Sequence, residues 1–278
     1  MGYKTILVHL SDKHRAEAVL TPAIELASRF GSHLVGVHIY SSMPAPPIPI
    51  PFAAQVLGGI AAGAQEDADT IAATFVRRTA RGAFVSEWHL LKVPHVDLAS
   101  VVMDRGRASD LIVAGQADPD WDLAPLLDFP ERLALEGGRP VLVIPHASQG
   151  RPVGRNVVIA WKPTRESARA VFDALPLLKA AESVHILEIK EKSDRAAALT
   201  PDTSIAAALG RHGIKPTIHS SVGTDSSVGD EILSRVADLG GDLLVMGAYG
   251  HSRMRELVFG GATRSIARHM TVSTLFSH

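Results

Sequence analysis

The residues best suited to bind a ligand follow a short apolar run near the C-terminus. The run Asp242-Leu-Leu-Val-Met-Gly247 leads into a loop of the form G-x2-G-x9-G, whose later glycines are Gly250 and Gly260. Glycine has no Cβ, so a ligand can approach the backbone closely at these positions. A helix is expected to begin near Gly261, where free N–H groups and a partial positive charge suit phosphate. With Arg253 as a cationic donor, this spacing predicts a phosphate-binding loop.

The same apolar pattern occurs earlier in the chain, which indicates two copies of one module. Asp110-Leu-Ile-Val-Ala-Gly115 repeats it, and Thr5-Ile-Leu-Val-His-Leu10 is matched by Asn156-Val-Val-Ile-Ala-Trp161. Short continuous apolar runs are typical of strands buried on both faces. Strands that alternate with helical segments predict an α/β protein with parallel sheets. Ser, Gln, Gly, Arg and Pro interrupt the pattern between the copies. The domains are therefore expected at residues 1–147 and 153–278.

The remaining elements follow in the same order in both copies. Further strands are predicted at 34–40, 84–91 and 140–144, and at 184–189, 215–222 and 272–276. The helix after the first strand is expected to bury one face, at spacings typical of an amphipathic helix. The predicted faces are Ala16, Leu20, Ala23 and Ala27 in the first copy and Ala168, Phe172, Leu175 and Lys179 in the second. Each helix contains a proline expected to kink it, Pro22 or Pro176.

The glycine spacing after residues 242–247, with the apolar strand at 157–160 before it, resembles the universal stress protein family in tandem form. The resemblance implies an α/β fold with two tandem doubly wound domains. Each would hold a five-stranded, mainly parallel sheet of the adenine nucleotide α-hydrolase-like kind. Many members of the family bind ATP or AMP at this loop, and a magnesium ion can accompany ATP. Other members bind no nucleotide and act through dimerisation or as regulators.

The resemblance also implies which residues form the nucleotide site. Met246, Gly247, Gly250 and Gly260 match the positions that contact adenine, ribose and phosphate, and Ile189 falls where an apolar side chain packs on adenine. The complete set of expected binding positions is Ala160, Lys162, Ile189, Met246, Gly247, Gly250, Arg253, Gly260, Gly261 and Ala262.

Two of these positions depart from the family pattern. The family usually has Asp where this chain has Lys162, and Ser or Thr where it has Gly261. One lost hydroxyl contact costs roughly 0.5–1.5 kcal/mol, which weakens a site without abolishing it. Lys162 removes an acceptor, although an ammonium can bind phosphate as a point charge. A structural interpretation also stays open, in which Gly247 ends a strand and Lys162 and Arg253 are solvated surface residues.

The first copy lacks the glycine-rich loop. After Gly115 and Gln116, four aspartates occupy the region where a phosphate needs hydrogen-bond donors. No Lys or Arg lies between Gln116 and Arg132. The aspartates are Asp118, Asp120, Asp122 and Asp128. Carboxylates repel a phosphate and are costly to desolvate beside one. The first copy is therefore expected to bind no nucleotide phosphate, and to serve as a scaffold, a dimerisation surface or a binder of another ligand.

Composition excludes several other classes of function. The 278 residues carry a formal charge of −1, contain no cysteine and include no apolar run long enough to span a bilayer. These features predict a cytoplasmic protein with no nucleic-acid or membrane partner. Motifs of dinucleotide-dependent dehydrogenases, P-loop ATPases and α/β-hydrolases are absent. His185 and His219 fall on strands that would be neighbours in some arrangements, but no metal bound by side chains is expected.

The expected function is that of a universal stress protein. It would bind an adenine nucleotide in the second domain and act as a regulator or ligand-gated interaction module. The two domains are expected to pair within the chain, and a homodimer is a further possibility. A structural or interaction protein of the same fold without nucleotide is the first alternative. An enzyme such as a slow ATP hydrolase ranks lower, because no residue has a clear general-base role.

Overall fold

The computed structural model describes residues 2–41, 53–93, 97–116, 129–148, 150–190, 203–222, 227–248 and 261–278. In the first half the elements are β1 (Thr5–His9), α1 (Ala16–Phe30), β2 (His33–Ser41), α2 (Ala53–Thr79), β3 (Ser86–Val93), α3 (Leu98–Gly106), β4 (Leu111–Gly115), α4 (Phe129–Glu136) and β5 (Val141–Ile144). In the second half they are β6 (Asn156–Ala160), α5 (Arg165–Asp173), α6 (Leu175–Ala180), β7 (Ser183–Lys190), α7 (Ser204–Arg211), β8 (Thr217–Val222), α8 (Val228–Asp238), β9 (Leu243–Gly247), α9 (Gly261–His269) and β10 (Ser273–Ser277).

The strands form one continuous sheet in the order β3-β2-β1-β4-β5-β10-β9-β6-β7-β8. All pairs within each half are parallel, as the alternation of strands and helices predicted. The halves meet where β5 pairs with β10 in the antiparallel direction. The two predicted five-stranded sheets are thus joined into a single sheet, because the last strand of each half offers its free edge to the other.

Helices cover both faces of the sheet and bury two apolar layers. The first layer lies beneath α1, α2, α5, α6 and α7. The second lies beneath α3, α4, α8 and α9. The strands at the centre of each half are buried on both faces, which explains why they read as continuous runs of Leu, Ile and Val.

The predicted buried face of the first helix is confirmed, whereas that of its counterpart is wrong at two of its four residues. Ala16, Leu20, Ala23 and Ala27 are all buried in α1, which continues through Pro22. In the second half Ala168 and Leu175 are half-buried against the first apolar layer, but Phe172 and Lys179 are exposed. The fully buried apolar residues are instead Ala170 and Val171 of α5 and Leu177 and Leu178 of α6. Proline lacks an N–H and disfavours a continuous helix, so the chain restarts as α6 around Pro176 and the helical phase shifts.

Contacts outside the sheet also connect the two halves. The Tyr3 hydroxyl donates to the Asp173 carbonyl oxygen at 2.8 Å, and the Arg29 guanidinium donates to the Val153 carbonyl oxygen at 3.2 Å. Because β5 and β10 are antiparallel, the carboxyl ends of the strands in the two halves lie at opposite edges of the sheet. None of the helices in these ranges combines the length and apolar character needed to cross a bilayer.

Candidate functional site

Three of the expected binding residues meet at the carboxyl edge of the second half. Ala160, Ile189 and Met246 stand at or near the ends of β6, β7 and β9, and all three pack in the second apolar layer. Ala160 is directly opposite Met246 in the parallel register of β6 and β9. Met246 is buried, whereas Ala160 and Ile189 are half-buried and keep some surface open. The three residues form an apolar patch where open α/β sheets bind ligands.

Gly247, the last residue of β9, is required at its position by packing. A Cβ there would stand 2.5 Å from both the Glu166 carbonyl carbon and the Ser167 nitrogen in the first turn of α5. Backbone atoms cannot move aside as a flexible side chain can, so any larger residue would separate β9 from α5. The glycine therefore has a structural role at the edge of the apolar patch.

The first turn of α5 already has its own negative charge. Thr164 caps the helix by accepting from the Ser167 nitrogen at 3.3 Å, and Glu166 is buried in the same turn. Burial acts to raise the pKa of Glu166, but its backbone hydrogen bond and the Arg165 guanidinium at 3.0 Å outweigh burial and lower it. Because an ionised carboxylate fills the positive end of α5, this helix is a poor position for a phosphate.

Lys162 lies in the turn between β6 and α5, beside the patch. Its side chain is exposed, and its carbonyl oxygen accepts from the Thr164 nitrogen at 2.7 Å. No ion pair is formed by Lys162 with the residues that the structure describes. Lys162 thus follows Ala160 by two residues, at the position where the family resemblance expects an aspartate.

The second helix terminus at this edge belongs to α9. Only residues 270–272 separate α9 from β10, which runs parallel to β9, so α9 ends at the amino edge and begins at the carboxyl edge. A Cβ at Gly261 would meet no atom of the described residues within 4 Å, and Ala262 is half-buried. Unlike Gly247, Gly261 is therefore not demanded by packing. The predicted positions Gly250, Arg253 and Gly260 lie outside the described residues.

The first half fills the corresponding place with its own side chain. His9 is paired in register with Ala114, just as Ala160 is paired with Met246. In the second half the larger side chain of the pair, Met246, is on the fourth strand of that half. In the first half the larger side chain, His9, is on the first strand, so its imidazole occupies the position of Ala160. His9 is 3% exposed. Burial, with a smaller contribution from His38, lowers the pKa of His9 to about 3.

Sequence comparison alone did not single out His9. The alignment of Thr5-Ile-Leu-Val-His9 with Asn156-Val-Val-Ile-Ala160 does place His9 opposite Ala160. Only the strand register shows that this histidine lies beside Ala114 at the end of β4. The four aspartates on which the prediction for the first half depended lie outside the described residues. His9 is thus a difference between the two halves that does not depend on those aspartates.

Gln116 is another functional candidate that the sequence did not reveal. It follows β4, and its Nε2 donates to the Ala267 and Arg268 carbonyl oxygens at the end of α9, both at 2.9 Å. Its Oε1 accepts from the His146 nitrogen at 2.7 Å. The matching position in the second half is Ala248, whose side chain has no hydrogen-bonding group. The side-chain link from the end of the fourth strand to the other half is therefore made by the first half and not by the second. Gln116 fixes the helix whose other end faces the candidate site.

Proteins of known structure share this fold over nearly the whole chain. A universal stress protein from Archaeoglobus fulgidus DSM 4304 is 17% identical, with a TM-score of 0.68 over 98% of this chain and 95% of that one. A putative universal stress protein from Pseudomonas aeruginosa UCBPP-PA14 is 16% identical, with a TM-score of 0.62 over 99% and 93%. A functionally unknown protein from Pseudomonas aeruginosa PAO1 is 15% identical, with a TM-score of 0.60 over 99% and 92%.

These likenesses define the class of protein as an α/β protein of the universal stress protein fold. Comparison with curated protein sequences gave no match. Residues 154–278 match the sequence model of the Universal stress protein family. The second half of the chain is thus similar in sequence to this family, and the whole chain shares its fold.

Proposed function

We propose that this protein binds an adenine nucleotide, ATP or AMP, at the carboxyl edge of β6, β7 and β9, and that occupancy regulates its interactions in the cytoplasm during stress. The observation that carries the proposal is the half-open apolar patch of Ala160, Ile189 and Met246 beside the close-packed Gly247. An adenine ring gains most from such a surface, since aromatic rings bind through apolar contact with a few polar groups at the rim. The match of residues 154–278 to the family's sequence model supports the same proposal.

The two helix termini at this edge orient the nucleotide. Glu166 supplies the negative charge at the start of α5, whereas the start of α9 is exposed and has Gly261 and Ala262 in its first turn. The phosphates therefore point toward α9 and the adenine lies on the patch. Lys162 adds a cation at the rim. A magnesium ion accompanying ATP would be held by phosphates and water.

In the same proposal the first half, residues 1–147, is a scaffold without a nucleotide site. His9 occupies the position of Ala160, where its buried imidazole is larger than the alanine side chain of the second half. The β5–β10 ladder is then the pairing of two homologous domains, and residues 153–278 form the nucleotide-binding one. Sedimentation measurements with and without ATP would test whether the paired unit forms a homodimer and whether the nucleotide controls it.

Calorimetric titration of the full chain with ATP and with AMP tests the proposal. Saturation at about 100 times the dissociation constant would stabilise the folded protein by roughly 2.7 kcal/mol, which a thermal melt detects. Ala160→His copies the arrangement of the first half and should weaken binding about tenfold or more, equivalent to about 1.4 kcal/mol. Lys179→Gln, at an exposed residue of α6 over the opposite apolar layer, is the control. No heat and no stabilisation at millimolar nucleotide would contradict the proposal.

One observation favours a second candidate, an interaction protein of the same fold that binds no nucleotide. Lys162 stands where the family resemblance expects an acceptor, and it is exposed rather than committed to another contact in the described part of the chain. Lys162→Asp separates the two candidates. Under the nucleotide proposal it changes the affinity for ATP, whereas under the second candidate both the wild type and the variant give no signal.

A further inference from the structure

Two histidines on neighbouring strands of the second half point their ring nitrogens at each other. The distance from His185 Nδ1 to His219 Nε2 is 3.0 Å, and the ring centroids are 5.2 Å apart at an interplanar angle of 43°. His219 is opposite Leu187 in the register of β7 and β8, so it is a diagonal neighbour of His185 on the same face of the sheet. Both side chains are half-buried and can be reached by solvent.

We propose that His185 and His219 form a binding site for a divalent first-row transition-metal ion such as Ni²⁺ or Cu²⁺. Metal–imidazole bonds are about 2.0–2.1 Å long, so the observed separation corresponds to an angle of about 94° at a shared ion. That angle suits two adjacent positions of a square-planar or octahedral ion, the geometries that Cu²⁺ and Ni²⁺ prefer with nitrogen ligands. The sequence analysis noted both histidines but expected no metal at them, because the pairing of β7 with β8 that brings them together is known only from the structure.

The surroundings define what else can coordinate the ion. Within the described ranges no group of three His, Asp or Glu side chains converges to hold a metal. On the same face Glu231 accepts from Ser221 Oγ at 3.3 Å and from Arg235 Nε at 3.0 Å, so its carboxylate is already engaged. Water therefore fills the remaining positions. Burial, and then the charge of His219, lower the pKa of His185 and favour the neutral imidazole that binds metals.

The pair is specific to the second half. The first half has His89 at the position of His219, but Val35 at the position of His185. His89 instead faces Glu87, with its Nε2 3.5 Å from the carboxylate oxygen.

The imidazoles of His185 and His219 can also share a simple N–H···N hydrogen bond at 3.0 Å. An experiment must separate this hydrogen bond from metal binding.

The experiment is calorimetric titration of chelator-treated full-length protein with Ni²⁺, in the absence of nucleotide. The chain has 13 histidines, so the result depends on differences between variants. His185→Gln and His219→Gln should each weaken the strongest Ni²⁺ binding about tenfold or more, since even outer-shell losses cost a metal site 10–100-fold. His212→Gln removes an exposed histidine whose ring packs against Phe172 and which follows α7 rather than lying on β7 or β8, and it should leave Ni²⁺ binding unchanged.

A spectroscopic measurement keeps the test decisive if a variant folds poorly. With one equivalent of Cu²⁺, electron paramagnetic resonance should show coupling to two imidazole nitrogens in the wild type and to one in either single variant. Equal Ni²⁺ affinity in the wild type and both variants, or a copper spectrum unchanged by the substitutions, would overturn the proposal and leave a hydrogen-bonded pair. Because no nucleotide is present, this outcome is independent of the proposed nucleotide site.

Discussion

Replacement of His9 by methionine should remove a large pH-dependent component of the folding stability. His9 is fully enclosed at the end of β1, and its pKa is lowered from 6.5 to about 3, first by burial and then by His38. The folded state therefore holds the imidazole neutral while the unfolded chain protonates it below about pH 6.5. The stability that depends on His9 is complete above pH 6.5 and is lost as the pH falls toward 3.

The magnitude follows from the size of the shift. A displacement of 3.5 units corresponds to a ceiling of about 5 kcal/mol, at about 1.36 kcal/mol per unit. Between pH 7 and pH 5 the linkage gives a loss of about 2 kcal/mol from His9 alone. His38, also buried, has its pKa lowered by burial and adds a loss of the same sign.

Urea unfolding followed by circular dichroism at pH 7 and pH 5 measures the effect. The wild type should lose about 2 kcal/mol more than His9→Met across this interval, because methionine fills a similar volume and does not titrate. His9→Gln is a second non-titrating replacement, and agreement between the two variants assigns the difference to protonation rather than packing. If the wild type and both variants lose stability equally between pH 7 and pH 5, the burial of a neutral imidazole at this position is refuted.

Three further predictions concern the candidate site. Gly247→Ala should lower the free energy of unfolding by about 1–3 kcal/mol, because its Cβ would overlap the backbone of α5. Gly261→Ala, whose Cβ meets no described residue within 4 Å, should leave the free energy of unfolding unchanged, and urea denaturation compares the two variants. Gly261→Ser restores the hydroxyl usual in the family and should strengthen ATP binding up to about tenfold by calorimetry, and no change would exclude a phosphate contact at this residue. Gln116→Leu should lower the free energy of unfolding by about 1–3 kcal/mol and speed amide hydrogen exchange at the end of α9. Gln65→Leu, on an exposed helix surface, should leave that exchange unaltered.

The candidate site was partly predictable because part of it is local in sequence. Met246 and Gly247 stand at the end of one apolar run, and their neighbourhood could be read from that run and its repeat. Gly261 begins the helix at the residue expected from the glycine spacing. The contact of Gly247 with Glu166 could not be read in this way, because it joins β9 to α5 across 81 positions of the chain (247 − 166).

By itself the amino-acid sequence determined the class of fold and the repeat, since continuous runs of Leu, Ile and Val can be satisfied only as buried strands between helices. The tertiary structure alone decided which side chains face each other. The pairing of His9 with Ala114, the pairing of Ala160 with Met246, and the approach of His185 to His219 all depend on the register between strands distant in the chain. Register is set by packing over the whole sheet, so short sequence patterns do not encode it.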